Sequence, residues 1–208
     1  MQTSTRPAYR IETSRLLIRC WEPRDAHLLD EAVRASIEHL RPWMTWARDE
    51  PKPIEDRIAF LRRARGEFDL DRDYVYGIFD LDETQVLGGT GLHMRRGPDA
   101  REIGYWIRAD RTRQGLATEV TMALTRVAFE IERVRRVEIR CDPKNIASSS
   151  IPRKLAFTRK GVLHGDPDFP GADRNTEIWA LAVEDYPGSP ARRIGLKAFD
   201  GLNKPIAI

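Results

Sequence analysis

The sequence predicts one α/β domain (of the α+β kind), a mixed, mostly antiparallel central sheet flanked by helices. Three observations predict it. A strand, a long helix and a second strand follow one another over 102–141, a crossover that implies parallel pairing. Three strands joined by short turns precede it, which implies antiparallel hairpins. The chain has 208 residues, 41% of them hydrophobic, enough to bury one core of ordinary size.

The elements follow in order. Residues 1–10 begin with the polar Met1–Pro7 and are expected to be a flexible segment, with the domain running over 11–186. Leu16, Leu17 and Ile18 mark an opening strand that Pro23 and Asp25 end. Asp25 is the expected cap of a helix carrying Leu28, Leu29, Ala32, Val33 and Ile37. An aromatic segment from Leu40 to Trp46 and the Pro51/Pro53 punctuation lead to a second helix marked by Ile54, Ile58 and Leu61. Strands are expected at Tyr74–Phe79, Val86–Met94 and Glu102–Ile107, with turns at Asp82-Glu83 and Gly97-Pro98-Asp99.

Leu116, Val120, Ala123, Leu124, Val127 and Ile131 then recur on one helical face. Val137, Ile139 and Cys141 alternate with Arg136, Glu138, Arg140 and Asp142, the pattern of a half-buried strand. A short helix over 148–156 and strands over 158–163 and 176–183 complete the domain. The tail, 187–208, contains Pro187, Gly188 and Pro190. It docks on the body, reaches a partner subunit or stays mobile.

Composition narrows the function. Lys and Arg number 35 against 32 Asp and Glu, for a formal charge of +3, and the two signs are interspersed. That favours a phosphorylated ligand over long tracts of nucleic acid and leaves RNA open. No run approaches the roughly 18 apolar residues of a membrane span, and none forms a secretory leader. Cys20 and Cys141 lie far apart and read as buried, reduced thiols. Together these features predict a cytoplasmic protein with no membrane association. The four histidines show no metal-ligand spacing with the cysteines, so no metal is expected. Gly89-Thr90-Gly91 lacks the third glycine and following helix of a dinucleotide fingerprint. Phosphate-loop and nucleophile-elbow motifs are absent.

Residues 111–119, between the aromatic strand and the long helix, carry the chemistry. Gly115 and the small Ala117 let a helix begin with its N–H groups exposed. Those donors and the positive end of the helix dipole suit phosphate oxygens. Arg111 and Arg113 add charge beside them.

Taken with Asn145, Ser148 and the run Arg153–Phe157, this order of motifs resembles the GNAT superfamily of acyl-CoA-dependent N-acetyltransferases. Within it the chain is similar to the RimJ/RimL-like branch, which includes enzymes acetylating ribosomal-protein N-termini. The resemblance runs from about Ile11 to Tyr186 and includes Thr13–Arg19, Leu40–Trp46 and Gly104-Tyr105-Trp106. Thr112 stands where the family's phosphate turn usually has Gln or Arg, and Ala156 where Gly is common before the Phe.

The resemblance implies a GNAT fold with a splayed parallel strand pair and acetyl-CoA as co-substrate. Backbone groups of Ile107, Arg108 and Ala109 would pair with the pantetheine arm, and one N–H would polarise the thioester carbonyl. The turn at Arg113, Gln114, Gly115, Leu116, Ala117 and Thr118 would hold the diphosphate. Asn145 would bond the pantetheine or order its loop, and Ser148 would protonate the leaving thiolate. Glu102 is the candidate base, its alternative a strand-edge carboxylate paired with arginine. The branch's usual Glu aligns with Pro167, leaving the flanking Asp166 and Asp168 to stand in. Trp43, Trp46 and Tyr105 would line the acceptor entrance, or the tryptophans simply pack on the core.

The expected reaction is direct acetyl transfer to a primary amine in a ternary complex. A protein or peptide α-amine, with a pKa of about 8, asks less of a base than lysine at about 10.4. Acceptors left open are a small-molecule amine, such as an antibiotic, polyamine or amino-acid derivative. A non-catalytic CoA-binding regulatory module is the alternative of a different class. A homodimer is among the assemblies left open.

Overall fold

The start of the domain folds as two strands rather than the single one expected. In the computed structural model, which describes residues 7–166 and 175–208, β1 (Arg10–Glu12) pairs with β2 (Leu17–Cys20). Thr13 closes the turn between them: its Oγ1 accepts from the Leu16 amide at 3.1 Å. Asp25 does not cap the following helix. Its carboxylate accepts two bonds from Arg19, at 2.8 and 2.9 Å, and one from the Glu22 amide at 2.9 Å. A short 3-10 turn over Pro23–Asp25 leads into α1 (Ala26–Arg34) instead.

After α2 (Ile37–Leu40) and α3 (Ile54–Asp69) come β3 (Tyr74–Phe79), β4 (Val86–His93) and β5 (Ala100–Ile107). The long helix is α4 (Leu116–Glu130), and β6 (Arg136–Cys141) returns beside β5. Then follow α5 (Ile146–Lys154), β7 (Thr158–His164) and β8 (Asn175–Ala182). The tail expected over 187–208 is part of the fold. It supplies β9 (Lys197–Phe199) and β10 (Pro205–Ile206), and β9 pairs with β1.

The described strands form one sheet in the order β10-β9-β1-β2-β3-β4-β5-β6-β8-β7. Every neighbouring pair is antiparallel except β5 with β6. Strand residues alternate between faces, and the sheet uses both. On one face Ile103, Ile107, Val137 and Ile139 pack with Leu116, Val120, Ala123 and Leu124 of α4. On the other, Leu17, Phe79 and Val86 pack with Leu29 and Val33 of α1 and Leu61 of α3. Burying Leu124 or Ile103 in this way contributes roughly 1.5–3 kcal/mol per side chain. The helices thus pack against both β5 and β6.

Candidate functional site

β5 and β6 begin together and end apart. Their parallel register runs Ala100↔Arg136, Arg101↔Val137, Glu102↔Glu138 and Ile103↔Ile139, and no further pair forms. Beyond Ile103, β5 keeps its antiparallel register with β4 as far as Gly88↔Ile107, while β6 turns to β8. Hydrogen bonds alternate along an antiparallel strand. The Arg108 amide donates to the Leu87 carbonyl at 2.9 Å, so the even-numbered residues of β5 bond to β4. The main-chain groups of Tyr105 and Ile107 therefore point the other way, into the gap. Gly104, Tyr105 and Trp106 are only partly buried there, whereas the four preceding residues are buried.

The gap offers a row of main-chain donors and acceptors to an extended molecule, an added strand in all but covalent connection. Of Ile107, Arg108 and Ala109, only Ile107 is placed to join that row. The Arg108 amide is taken by Leu87, and the Ala109 amide donates to Ser36 Oγ at 3.0 Å. The Arg108 side chain is buried and bound to Glu31 and Asp110. Tyr105 supplies the second pair of free groups in place of those two.

The chain leaves β5 through a 3-10 turn, Ala109–Arg111, and enters α4 by way of two residues in the left-handed region. Arg113 has φ 62° and Gly115 φ 79°. Such alternation curls successive amides inward, which makes an anion-binding concavity. Among the described residues no hydrogen bond is recorded from the amides of Arg113, Gln114, Gly115, Leu116, Ala117 or Thr118. Arg113, Gln114 and Gly115 are exposed. A β-carbon on Gly115 would meet nothing nearer than Arg15 Nη2 at 3.7 Å. Glycine is needed there for its backbone angle rather than for room.

Arg111 does not serve this turn; its guanidinium bonds Gln85. The cation beside the turn is Arg15, which sequence spacing did not single out. Its Nη1 donates to the Gln114 carbonyl at 3.0 Å and its Nε to Glu119 at 2.7 Å. Thr13 also donates to Glu119, at 2.6 Å. The turn before β2 thereby fixes the start of α4.

Across the gap, α5 brings Asn145 and Ser148 to β5. Asn145 caps α5, its Oδ1 accepting from the Ser148 amide at 3.1 Å. Ser148 is thus the capped residue and keeps its hydroxyl for other work. That Oγ lies 3.1 Å from the Tyr105 hydroxyl. Burial pushes the Cys141 thiol up to about 12 and raises the Tyr105 hydroxyl above its ordinary value. Neither ionises near neutral pH, which suits Cys141 poorly to nucleophilic work. Ser148 is left as the proton-bearing group facing the gap from α5.

The carboxylates expected as bases are occupied. Glu102 is 2% exposed and accepts from Arg95 and Arg96, with Arg140 Nε 3.6 Å away. Burial alone would raise its pKa, but these arginines outweigh burial and hold it below the usual range. A buried carboxylate so stabilised is a poor proton acceptor, so the arginine-paired alternative describes Glu102. Asp166 is buried and bonded to Arg140 at 3.3 Å. Asp168 lies outside the described residues.

The residues expected at the acceptor entrance divide between the faces. Trp46 packs edge-on against Trp106, with ring centroids 5.9 Å apart, on the α1–α3 side of the sheet. Tyr105 points to the other side, toward Ser148. Trp43 is partly buried in the same aromatic segment as Trp46.

Residues 15–158 match the family model described as an acetyltransferase (GNAT) domain. The chain is 26% identical to the [ribosomal protein uS5]-alanine N-acetyltransferase of Escherichia coli K12 over 186 residues, covering 86% of this chain and 94% of that one. It is equally similar, at 26%, to the putative ribosomal N-acetyltransferase YdaF of Bacillus subtilis, covering 83% and 94%. Among solved structures, Mycobacterium smegmatis RimJ in complex with CoA-disulfide superposes with a TM-score of 0.73 at 24% identity, covering 86% and 87%. At that identity the superposition speaks to the fold alone.

Proposed function

The chain belongs to the GNAT acetyltransferase domain family and is an acetyl-CoA-dependent N-acetyltransferase, and from that premise we propose that it acetylates the α-amine of a protein or peptide N-terminus. The observation that carries this reading is the pairing of two sets of main-chain donors with no recorded partner, those of the α4 turn and those on the open edge of β5. The turn amides of 113–118 would hold the diphosphate, helped by the α4 dipole. The arm would lie along Tyr105 and Ile107. An N–H from one of them would donate to the thioester carbonyl as negative charge grows on it.

Ser148 would give its proton to the departing sulfur and regain one through the Tyr105 hydroxyl. Trp46 and Trp106 form an apolar wall on the opposite face, which suits the side chains of a peptide better than a polycationic small molecule. The E. coli relative's action on a ribosomal-protein alanine supports the same choice of acceptor. A cytoplasmic site of action follows from such a substrate. No helix among the described residues is long and apolar enough to cross a membrane.

The test is an acceptor screen with acetyl-CoA, reading thiol release and product mass. Peptides beginning with Ala, Ser or Met should gain one acetyl group at the N-terminus. Acetylation confined to lysine side chains or small amines would overturn the choice of acceptor. Tight acetyl-CoA binding with no turnover on any amine would instead mark a regulatory module. Ser148→Ala should lower kcat about 100-fold while leaving acetyl-CoA affinity unchanged. Equal kcat in the two proteins would remove Ser148 from the proton path.

A further inference from the structure

With Glu102 and Asp166 held by arginines, the acceptor's proton needs another destination. The α1–α3 face of the sheet supplies one where β5 and β6 diverge. Gly91 on β4 and Gly104 on β5 are register partners, and neither has a side chain. The imidazole of His93 lies over this bare backbone. A β-carbon built on Gly91 would come within 2.7 Å of its Nε2, and one on Gly104 within 3.4 Å. Any other residue at Gly91 would displace the ring.

The ring is also oriented. His93 Nδ1 lies 2.8 Å from Asp73 Oδ2, and the other oxygen of Asp73 accepts from the Met94 amide at 3.2 Å. A carboxylate on Nδ1 makes that nitrogen the proton-bearing one, so Nε2 of the neutral ring holds a free lone pair. Among the described residues no hydrogen bond to Nε2 is recorded.

We propose that His93, positioned by Asp73, is the general base that takes the proton of the acceptor ammonium. This rests on the reading of the β5–β6 gap as the acetyl-transfer site. An arm that starts at the 113–118 turn and runs back along β5 ends at Gly104, one residue past the last β5–β6 pair. Nε2 stands over that residue, on the face away from Ser148. Base and acid therefore address the reacting carbon from opposite sides of the sheet. The ammonium loses two protons as the N–C bond forms and the C–S bond breaks. One passes through Nε2 to solvent, and the other accompanies release of the sulfur as a thiol, with Ser148 returning to its protonated state.

The charged groups sharing this face are Asp73 beside β3, Glu102 on β5 with Arg95 and Arg96 around it, and Glu138 and Arg140 on β6. The carboxylates of β5 and β6 are ion-paired, which leaves the imidazole as the group with a lone pair to offer.

The experiment measures kcat/KM against pH on the best peptide acceptor, with acetyl-CoA affinity by calorimetry and a thermal melt as the folding control. His93→Gln should lower kcat/KM about 100-fold at neutral pH, move the acid limb of the profile to the ionisation of the free α-amine at about pH 8 and leave acetyl-CoA affinity unchanged. The deficit should shrink near about pH 9.5, where a free α-amine is already mostly deprotonated. Asp73→Asn keeps the ring but not its orienting charge, and should cost about 10-fold with a displaced acid limb. A folded His93→Gln protein with normal kcat/KM and an unchanged acid limb overturns the proposal. So does an unaltered profile in Asp73→Asn, should His93→Gln not fold. Failure of the wild type to bind acetyl-CoA, or to acetylate any amine, is a different result: it removes the site reading itself and the proposal with it.

Discussion

The two halves of the β5–β6 pair are built from the same two strands and behave oppositely. Over Ala100–Ile103 and Arg136–Ile139 the backbones are paired, and the side chains around them form ion clusters. Glu102 and Glu138 are held by Arg95, Arg96, Arg136 and Arg140 on one face, and Arg101 holds Glu132 on the other. Over Gly104–Ile107 the partner strand has left, and the groups that matter are main-chain amides. Charge close to the open end would compete for those amides and for any anionic ligand. The molecule keeps its carboxylates in the closed half, neutralised, and leaves the open half to dipoles. Ionisable side chains serve as staples in the closed half, and the open half presents backbone.

Three substitutions sharpen or break that division, from the largest expected effect to the smallest. Glu102→Gln removes the central carboxylate of the closed half, itself buried, and leaves the exposed Arg95 and the half-buried Arg96 and Arg140 with one anionic partner fewer. A loss of about 3 kcal/mol in a denaturant titration is expected. The acid limb of kcat/KM should stay where it is, and a shifted limb would restore Glu102 to the chemistry. Its stabilising contribution has a definite sign: with the folded pKa lowered, it is present above the ordinary carboxylate range and lost as pH falls through the folded value.

Glu132 gives the opposite sign. Its side chain is 3% exposed, and burial, only partly offset by Arg101, raises its pKa to about 7. Its contribution is complete below the unfolded value of 4.5 and is lost as pH rises to about 7. The wild type should therefore lose roughly 2–3 kcal/mol relative to Glu132→Gln over that window. Parallel stability–pH curves for the two proteins would show that the carboxyl is ordinary in the folded state.

Gly115→Glu attacks the open half. The substitution forces a side chain into a left-handed backbone, at about 1–2 kcal/mol, and sets a negative charge beside the α4 N-terminus. Acetyl-CoA affinity should fall about 30-fold, roughly 2 kcal/mol, by calorimetry. Unchanged affinity would refute the diphosphate role of the turn and with it the contrast between the halves.

Much of this arrangement is legible in the amino-acid order because it is periodic or local. The face Leu116–Ile131 and the alternation Val137–Cys141 define the crossover, and Gly115 marks a backbone angle that few other residues adopt. The missed features are those that depend on which strand lies beside which. Glu102 reads equally as a base or as an ion-paired group until β4, β5 and β6 are aligned. Arg108 and Ala109 look like open backbone until Leu87 and Ser36 are seen to bind them. His93 shows no spacing of its own, since its significance comes from a carboxylate 20 positions earlier and from two facing glycines. β9 and β10, at three and two residues, are too short to show a pattern.

The clamp from Arg15 to Gln114 and Glu119 ties events at the two ends of the core to each other. It joins residues about a hundred positions apart, so the shape of the α4 entry and the docking of the first hairpin are coupled. By reciprocity, occupancy of the α4 entry must in turn steady that hairpin. Slower amide exchange at Ile18 and Arg19 on adding acetyl-CoA would record this mutual dependence far from the reacting atoms.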